Sequence, residues 1–260
     1  MYRYPSEHPI LFLTGCLIVL VLAVSAIPTL CIFPFLAAGF IGLAYLLNRG
    51  QYDDILRSGL RVNASQAPQL AGLAADCMRR LNPGPVELYV VKSNSLNAYT
   101  FGFSNPKMVV LYSPLLTVMD ADELKFVIGH EMGHVALGHT WLNTLLGGMA
   151  GVPTSFGAAV ILTLAFRSWN RACEYSADRA GLLACGSLGK SVSALAQLAV
   201  GDLNTQVELQ RALALLEKED DSFSGALGEA LSTHPMIIKR IHELRRWAAS
   251  EEYQRLAISS

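Results

Sequence analysis

The feature that most constrains this chain is the sequence His-Glu-Met-Gly-His at residues 130–134. On a helix, positions four apart lie on one face, so His130 and His134 can offer two imidazoles to one metal ion. Glu131 lies beside the first histidine and can reach a water molecule next to that metal. This HExxH pattern is typical of sites in which zinc works with a glutamate general base. The chain contains only six histidines, which argues against a chance match.

A catalytic zinc ion usually has three protein ligands and one open position, so a third ligand is needed. A metzincin would have its third histidine at position 140, where this chain has Thr140. A glutamate on a later helix is the other solution, and Glu174 provides it. Asp178 lies four residues further on, on the same helix face, where it can hydrogen-bond a ligand histidine. The sequence therefore predicts zinc held by His130, His134 and Glu174.

Two other residues near the motifs could be mistaken for ligands. His139 lies five residues after His134 and is rotated about 140° from it on a helix, which predicts a helix-end or surface residue. Cys173 adjoins Glu174 but points about 100° away, which predicts a packing residue. The five cysteines are odd in number and form no CxxC pair, so a disulfide framework is not expected.

Further motifs accompany HExxH in a fixed order. The chain has Asn-Ala at residues 97–98, Glu-Tyr-Ser-Ala-Asp at residues 174–178, Ser-Thr-His-Pro at residues 232–235, and then Arg240. In this combination the sequence resembles the HtpX-like zinc metallopeptidases, a family that also includes the CaaX prenyl endopeptidases and the Oma-type mitochondrial proteases. The resemblance covers residues 64–248, approximately the whole chain after its first apolar region.

The resemblance implies a membrane-anchored zinc metalloendopeptidase of the gluzincin type that acts on polypeptides. It implies that His234 donates a hydrogen bond to the developing oxyanion. Arg240 would pair with an acidic neighbour such as Asp178, and an edge strand around Asn97 and Ala98 would align the substrate. Misfolded or membrane-associated proteins are the implied substrates, in protein quality control. The CaaX-type members have more membrane spans than this chain has room for.

A low content of charged residues indicates contact with a membrane. Hydrophobic residues make up 52% of the chain and charged residues 16%, whereas about 25% charged is usual. Residues 10–47 contain no charged side chain, and Pro28 and Pro34 divide this stretch. We expect a transmembrane hairpin with spans at about residues 10–26 and 30–47. A cleaved signal peptide is the alternative, but its apolar core of about 7–15 residues would be shorter.

Basic residues after the hairpin indicate its orientation. Arg49, Arg57 and Arg61 follow the second span, and the positive-inside tendency places them in the cytoplasm. We therefore expect a bacterial inner-membrane protein, with the hairpin in residues 1–48 and a catalytic domain in residues 49–260 that faces the cytoplasm. The net charge of −1 gives no indication of a nucleic-acid partner.

The rest of the chain predicts an α+β fold that is mainly helical. Gln66–Leu81 has apolar residues at helical spacing. Three strand-like segments follow: Val86–Val91, Tyr99–Phe103 and Met108–Leu111. A small sheet thus precedes the HExxH helix, as in zincin-like domains. Asp120 and Glu123 form a potential capping box at the start of that helix.

A further uncharged stretch, residues 141–166, separates His134 from Glu174. By length it qualifies as a membrane span. A single crossing would place His134 and Glu174 on opposite faces of the bilayer, which is incompatible with one metal site. We therefore predict two helices, broken near residues 151–153 and partly embedded in the membrane. A buried helical hairpin of a soluble domain is the alternative.

Hydrolysis of peptide bonds, with one zinc ion per chain and Glu131 as general base, is the predicted function. Another class of function stays open, namely a non-proteolytic, membrane-bound binding or chaperone module that retains a zinc site. A structural zinc site is usually four-coordinate and most often contains cysteines. A purely structural helical membrane protein with fortuitous motifs is the third possibility.

Overall fold

The computed structural model describes residues 2–26, 33–148, 157–200 and 235–259. These residues form a mainly helical α+β fold, as predicted. The helices are Glu7–Ala26 (α1), Phe33–Ser58 (α2), Pro68–Leu81 (α3), Leu115–Val118 (α4), Ala121–Ala136 (α5), His139–Gly148 (α6), Gly157–Cys185 (α7), Leu188–Val200 (α8), Pro235–Ala248 (α9) and Glu251–Ser259 (α10). The strands are Leu60–Arg61 (β1), Val86–Val91 (β2), Ala98–Phe101 (β3) and Lys107–Tyr112 (β4).

The described strands form one small mixed sheet that precedes the HExxH helix, in agreement with the prediction. The strand order is β1-β2-β4-β3, with β2 and β4 parallel and the two outer strands antiparallel to their neighbours. Met108 to Leu111 of β4 are at most 1% exposed. Such burial on both faces is typical of a central strand. Among the described strands β3 pairs with β4 alone, so β3 is an edge strand.

Helix α5 carries the HExxH sequence, and both of its ends are fixed by local interactions. The Asp120 carboxylate accepts hydrogen bonds from the backbone N–H groups of Asp122 and Glu123, and Glu123 accepts one from the Asp120 backbone. This confirms the predicted capping box. After the last turn, Gly138 has a φ of 78°, which glycine adopts without strain. The chain therefore turns sharply and begins α6 immediately.

Close packing of α5 on α7 depends on small residues. A Cβ atom added at Gly129 would lie 2.4 Å from the Cβ of Ala184, and one added at Gly133 would lie 2.5 Å from the Cβ of Ala180. Both distances are well below a carbon–carbon contact of about 3.5–4.0 Å. The two helices therefore approach backbone to backbone, which places Glu174 of α7 opposite the histidines of α5.

The structure does not support the predicted transmembrane hairpin. Within the described residues, no helix has both the length and the apolar character that a membrane crossing requires. The helices extend beyond the uncharged spans expected at residues 10–26 and 30–47. Helix α1 begins at Glu7, which is only 1% exposed, and α2 continues through the charged residues Arg49 and Arg57. The division of the chain near residue 48 stays a prediction.

The uncharged stretch at residues 141–166 is divided between α6 and α7. Residues 149–156, where the break is predicted, lie outside the described residues. Helix α7 continues without interruption from the end of this stretch through Glu174 to Cys185. The end of the apolar segment and the predicted glutamate ligand therefore share one helix, and the break stays a prediction.

Candidate metal centre

The three residues predicted as metal ligands converge on one point. His130 and His134 face the same side of α5, with their Nε2 atoms 3.2 Å apart. From α7, the Glu174 carboxylate places Oε2 at 3.6 Å from Nε2 of His130 and Oε1 at 3.4 Å from Nε2 of His134. The two histidines are buried, and the Glu174 side chain is 33% exposed.

The spacing of these donor atoms fits a zinc ion. Tetrahedral zinc with bonds of about 2.0–2.2 Å requires its donor atoms to lie about 3.3–3.6 Å apart. The observed separations of 3.2, 3.4 and 3.6 Å are close to that range. Two imidazoles and one carboxylate are also a ligand set of catalytic zinc sites, in which a fourth position is left open. The donor set therefore suits a catalytic rather than a closed structural metal site.

Glu131 lies in the same cleft as the three donors. The cleft has a volume of about 420 Å³ and is lined by His130, Glu131, His134 and Glu174. Glu131 is only 7% exposed, and this burial raises the pKa of its carboxyl above the usual value. A raised pKa suits a group that takes up a proton near neutral pH and later releases it.

Asp178 and Arg240 support the His130 side of the centre. Nδ1 of His130 lies 3.0 Å from Oδ1 of Asp178, which is 1% exposed. Arg240 donates to both oxygens of Asp178, at 2.8 and 2.6 Å, and its Nη1 lies 2.9 Å from Oε2 of Glu174. Burial alone would raise the pKa of each carboxyl, but the Arg240 charge lowers the pKa of Asp178 and holds that of Glu174 well below its usual value.

On the His134 side, two residues that the sequence does not predict for the site lie close to the ligands, namely His139 and Glu7. The prediction of a helix-end or surface position for His139 is only partly right, because His139 begins α6 but is 1% exposed. Its Nδ1 lies 3.0 Å from Nδ1 of His134, and its Nε2 lies 3.0 Å from Oε1 of Glu7. The turn at Gly138 allows α6 to begin at His139, and Glu7 at the start of α1 contacts the imidazole. The only local signal is a third histidine, five residues after His134.

Asn97 and Ala98 are the residues for which the resemblance implies a substrate-aligning role. Both residues line the cleft, together with Tyr99 and Thr100. Ala98 opposes Leu111 of β4, so the side of β3 away from β4 has no partner among the described strands. His234, the residue predicted to bind the oxyanion, lies outside the described residues. Cys173 is 1% exposed and packs against Trp169, in agreement with the prediction.

Comparisons with known proteins agree with these motifs. Residues 64–248 match the profile of peptidase family M48. The plastoglobule-localized metallopeptidase 48 of Arabidopsis thaliana chloroplasts is 31% identical over 211 residues, which are 75% of this chain and 61% of that protein. The chain thus spans less than two thirds of the length of this relative.

Two bacterial relatives cover larger shares of their own length. A Protease HtpX homolog of Pseudarthrobacter chlorophenolicus is 27% identical over 219 residues, which are 72% of this chain and 75% of that protein. Protease HtpX of Acinetobacter baumannii is 29% identical over 210 residues, 66% of this chain and 69% of that protein. The matches confirm the resemblance to HtpX-like metallopeptidases that the sequence predicts.

Proposed function

The chain belongs to peptidase family M48, and from this premise we propose that it is a zinc metalloendopeptidase with Glu131 as its general base. One observation carries the proposal. Three donor atoms at zinc spacing, a buried glutamate and the side of β3 that has no partner among the described strands lie in one cleft. The donor atoms would hold the metal, the glutamate would transfer protons, and the edge strand would bind an extended polypeptide.

The chain's own residues account for the proton transfers. When bound, zinc supplies a Lewis acid that polarises the scissile carbonyl and acidifies a water molecule. Glu131 takes a proton from the attacking water as the new carbon–oxygen bond forms. It then gives that proton to the leaving amine as the carbon–nitrogen bond breaks. His130 and His134 present their Nε2 atoms towards the metal position and take no part in proton transfer.

Asp178 and Arg240 hold this arrangement in place. Asp178 accepts a hydrogen bond from Nδ1–H of His130, which leaves the lone pair on Nε2 for the metal. Arg240 pairs with both Asp178 and Glu174, so it offsets the repulsion between two neighbouring carboxylates. The position of Arg240 supports the role that the resemblance implies and extends it to Glu174. The oxyanion role of His234 stays a prediction.

Strand β3 is proposed to align the substrate. An extended peptide can add to the unpaired side of an edge strand through main-chain hydrogen bonds. Asn97 and Ala98 lie at the start of β3 and line the cleft that contains Glu131. Binding of this kind favours unfolded or extended segments of polypeptide. It fits the proposed substrates, misfolded or membrane-associated proteins in quality control.

Contact with a lipid surface is proposed through α1. Phe12, Leu13, Val19 and Leu20 are each between 59% and 71% exposed. Residues 12 and 19, and likewise 13 and 20, are seven positions apart and therefore lie on one face of the helix. Exposed apolar patches of this kind mark contacts with membranes or other proteins. Flotation with phospholipid vesicles, lost in a Phe12→Asp/Val19→Asp variant, would support this contact.

The test of the catalytic proposal compares wild type with Glu131→Gln. Both proteins should bind one zinc ion, because Glu131 is not a ligand. Cleavage of a chemically unfolded protein should fall by about 10²–10⁴-fold in the variant, the range for loss of a general acid–base group. Glu251→Gln, at an exposed position of α10, serves as the matched control and should cleave like wild type.

Three outcomes of this test are informative. Cleavage by wild type that stops on zinc chelation and returns with added zinc supports the proposal. Undiminished cleavage by Glu131→Gln would contradict the assignment of the general base. Zinc in both proteins with cleavage by neither would favour the binding or chaperone module.

A further inference from the structure

The N-terminal segment, residues 2–10, is docked on both metal-binding helices. The backbone N–H of Tyr4 donates to Oγ of Ser176 on α7, at 2.8 Å. Nη2 of Arg3 donates to the carbonyl oxygen of Leu137 at the end of α5, also at 2.8 Å. The start of the chain is thus tied to the two helices that carry His134 and Glu174.

This docking places the carboxylate of Glu7 inside the protein. Its side chain is 2% exposed and forms an ion pair with Arg3. It also accepts a hydrogen bond of 2.5 Å from Oγ of Ser176 and lies 3.0 Å from Nε2 of His139. A buried carboxylate is costly unless it is paired and hydrogen-bonded, and Glu7 meets both conditions. The site is therefore built to hold a charged acceptor next to His139.

If His139 is neutral, the hydrogen bonds that link Glu7, His139 and His134 have one consistent direction. A carboxylate can only accept, so Nε2 of His139 carries a proton and donates it to Glu7. The neutral imidazole of His139 then has a lone pair on Nδ1, which lies 3.0 Å from Nδ1 of His134. His134 must therefore carry its proton on Nδ1. Its Nε2 is left with a lone pair that faces His130 and Glu174.

We propose that Glu7 and His139 are positioning residues that fix the tautomer and ring orientation of His134 for zinc binding. The inference rests on the proposed function, because it assigns Nε2 of His134 to the metal. A carboxylate behind a ligand histidine holds the ring and raises its basicity. Here the Glu7 carboxylate acts on His134 through the imidazole of His139. The N-terminal segment therefore contributes to the orientation of a proposed metal ligand.

The same cluster could be read as a second metal site. Ligand-type atoms of Glu7, His139 and Cys173 lie within 4.8 Å of one another. The ion pair with Arg3 already supplies a positive charge to Glu7, and both ring nitrogens of His139 have hydrogen-bond partners. We therefore expect one zinc ion per chain. A second zinc ion that is lost in Cys173→Ser would overturn the proposal.

The tautomers can be observed directly in the zinc-loaded wild-type protein. Two-bond ¹⁵N–¹H correlation spectra of the imidazoles distinguish Nδ1–H, Nε2–H and doubly protonated rings. We expect His134 to be protonated at Nδ1 and His139 at Nε2, both neutral. A His139 ring that is protonated at Nδ1 would overturn the proposal, because it could not accept from His134.

Zinc affinity tests the consequence of removing the hydrogen bonds. His139→Phe keeps an aromatic ring but removes both nitrogens, and zinc affinity in competition with a chelator should fall about 10-fold. Glu7→Gln should cause a smaller loss that exceeds about twofold, since it acts one group further away. In both variants the visible spectrum of bound Co²⁺ should change, which a general loss of stability would not produce. Tyr4→Phe alters the same segment without touching these hydrogen bonds and should match wild type.

The outcomes separate this inference from the proposed function. Unchanged zinc affinity and unchanged Co²⁺ spectra in both variants would overturn the inference and leave the metallopeptidase proposal intact. A wild-type protein that binds no zinc would instead contradict the proposed function. If His139→Phe does not fold, Glu7→Gln and the wild-type ¹⁵N spectra decide the question.

Discussion

The two histidines of the proposed metal centre are supported in different ways. His130 makes a direct contact of 3.0 Å with a carboxylate, Asp178, which belongs to the same helix as Glu174. His134 reaches its carboxylate, Glu7, only through the imidazole of His139. In both arrangements the last acceptor is a buried carboxylate. Asp178 lies four residues after Glu174, whereas Glu7 lies near the start of the chain.

Because of this difference, the two histidines depend on different parts of the fold. The close packing of α5 on α7 that places Glu174 also places Asp178, so His130 and its support form together. The support of His134 also requires α1 to dock. A change that removes the Glu7 carboxylate should therefore weaken zinc binding through His134 and leave the support of His130 unaffected.

The largest effect is expected when the His130 side is broken. Asp178→Asn keeps the shape of the side chain but removes the charge that pairs with Arg240 and orients His130. Zinc affinity should fall by about 10–100-fold, the usual range for a group behind a metal ligand. This loss should exceed that of Glu7→Gln, measured in the same chelator competition. Equal losses in the two variants would contradict the difference between the two sides.

The close packing of α5 on α7, on which the support of both histidines depends, is tested with Gly133→Ala. The added Cβ would lie 2.5 Å from Ala180, so α5 and α7 must separate. We expect a loss of about 1–3 kcal/mol in the free energy of unfolding, as for other overpacked cores, together with weaker zinc binding. Gly72→Ala, where the new Cβ meets nothing within 4 Å, is the matched control. It should leave zinc binding unchanged and raise stability by about 0.5–1 kcal/mol.

A change at the far end of α5 should affect neither side of the centre. Asp120→Ala removes the N-cap of α5, which should lower the free energy of unfolding by about 1 kcal/mol. Zinc affinity should be unchanged, because the cap lies more than two turns from His130. A loss of zinc affinity in this variant would show that the centre depends on the whole of α5.

The Asp120 cap should also depend on pH. Burial alone would raise the pKa of Asp120, but Lys190 and the backbone N–H groups lower it. A carboxyl whose pKa is lower in the folded state stabilises the protein above the unfolded pKa of about 3.9. This stabilisation is lost as the pH falls through the lower, folded pKa. Denaturant unfolding of wild type and Asp120→Ala should therefore converge at acid pH, and a constant difference would contradict the assignment.

The smallest effect expected is the coupling between the two sides. If His130 and His134 are supported independently, the losses in zinc-binding free energy for Asp178→Asn and Glu7→Gln should add in the double variant. Agreement within about 0.5 kcal/mol is typical of independent positions. A larger deviation would show that the support of His130 and the support of His134 depend on each other, which would contradict their independence.

The parts of the site that could be predicted are those whose residues lie a few positions apart on one helix. HExxH and the Glu174–Asp178 pair each place two groups on one helix face, so their positions follow from helical periodicity. The capping box of α5 is predictable for the same reason. Arg240 and Asp178 could be paired only through the resemblance, because nothing in the sequence shows which helices meet.

The part that could not be predicted depends on long-range docking. Glu7 and His139 are 132 positions apart, and their contact forms only after α1 packs on α7. In the sequence, Glu7 looks like a polar residue that precedes an apolar run, and His139 looks like a helix end. The predicted transmembrane hairpin has a related weakness, because a stretch without charges does not show where its helices begin and end.

The most direct test of the metal centre is zinc K-edge X-ray absorption of the purified wild-type protein. Ligation by His130, His134 and Glu174 predicts only nitrogen and oxygen neighbours at about 2.0–2.2 Å, with the scattering signature of imidazole. A sulfur neighbour at about 2.3 Å would place the metal at Cys173 instead and would contradict the account.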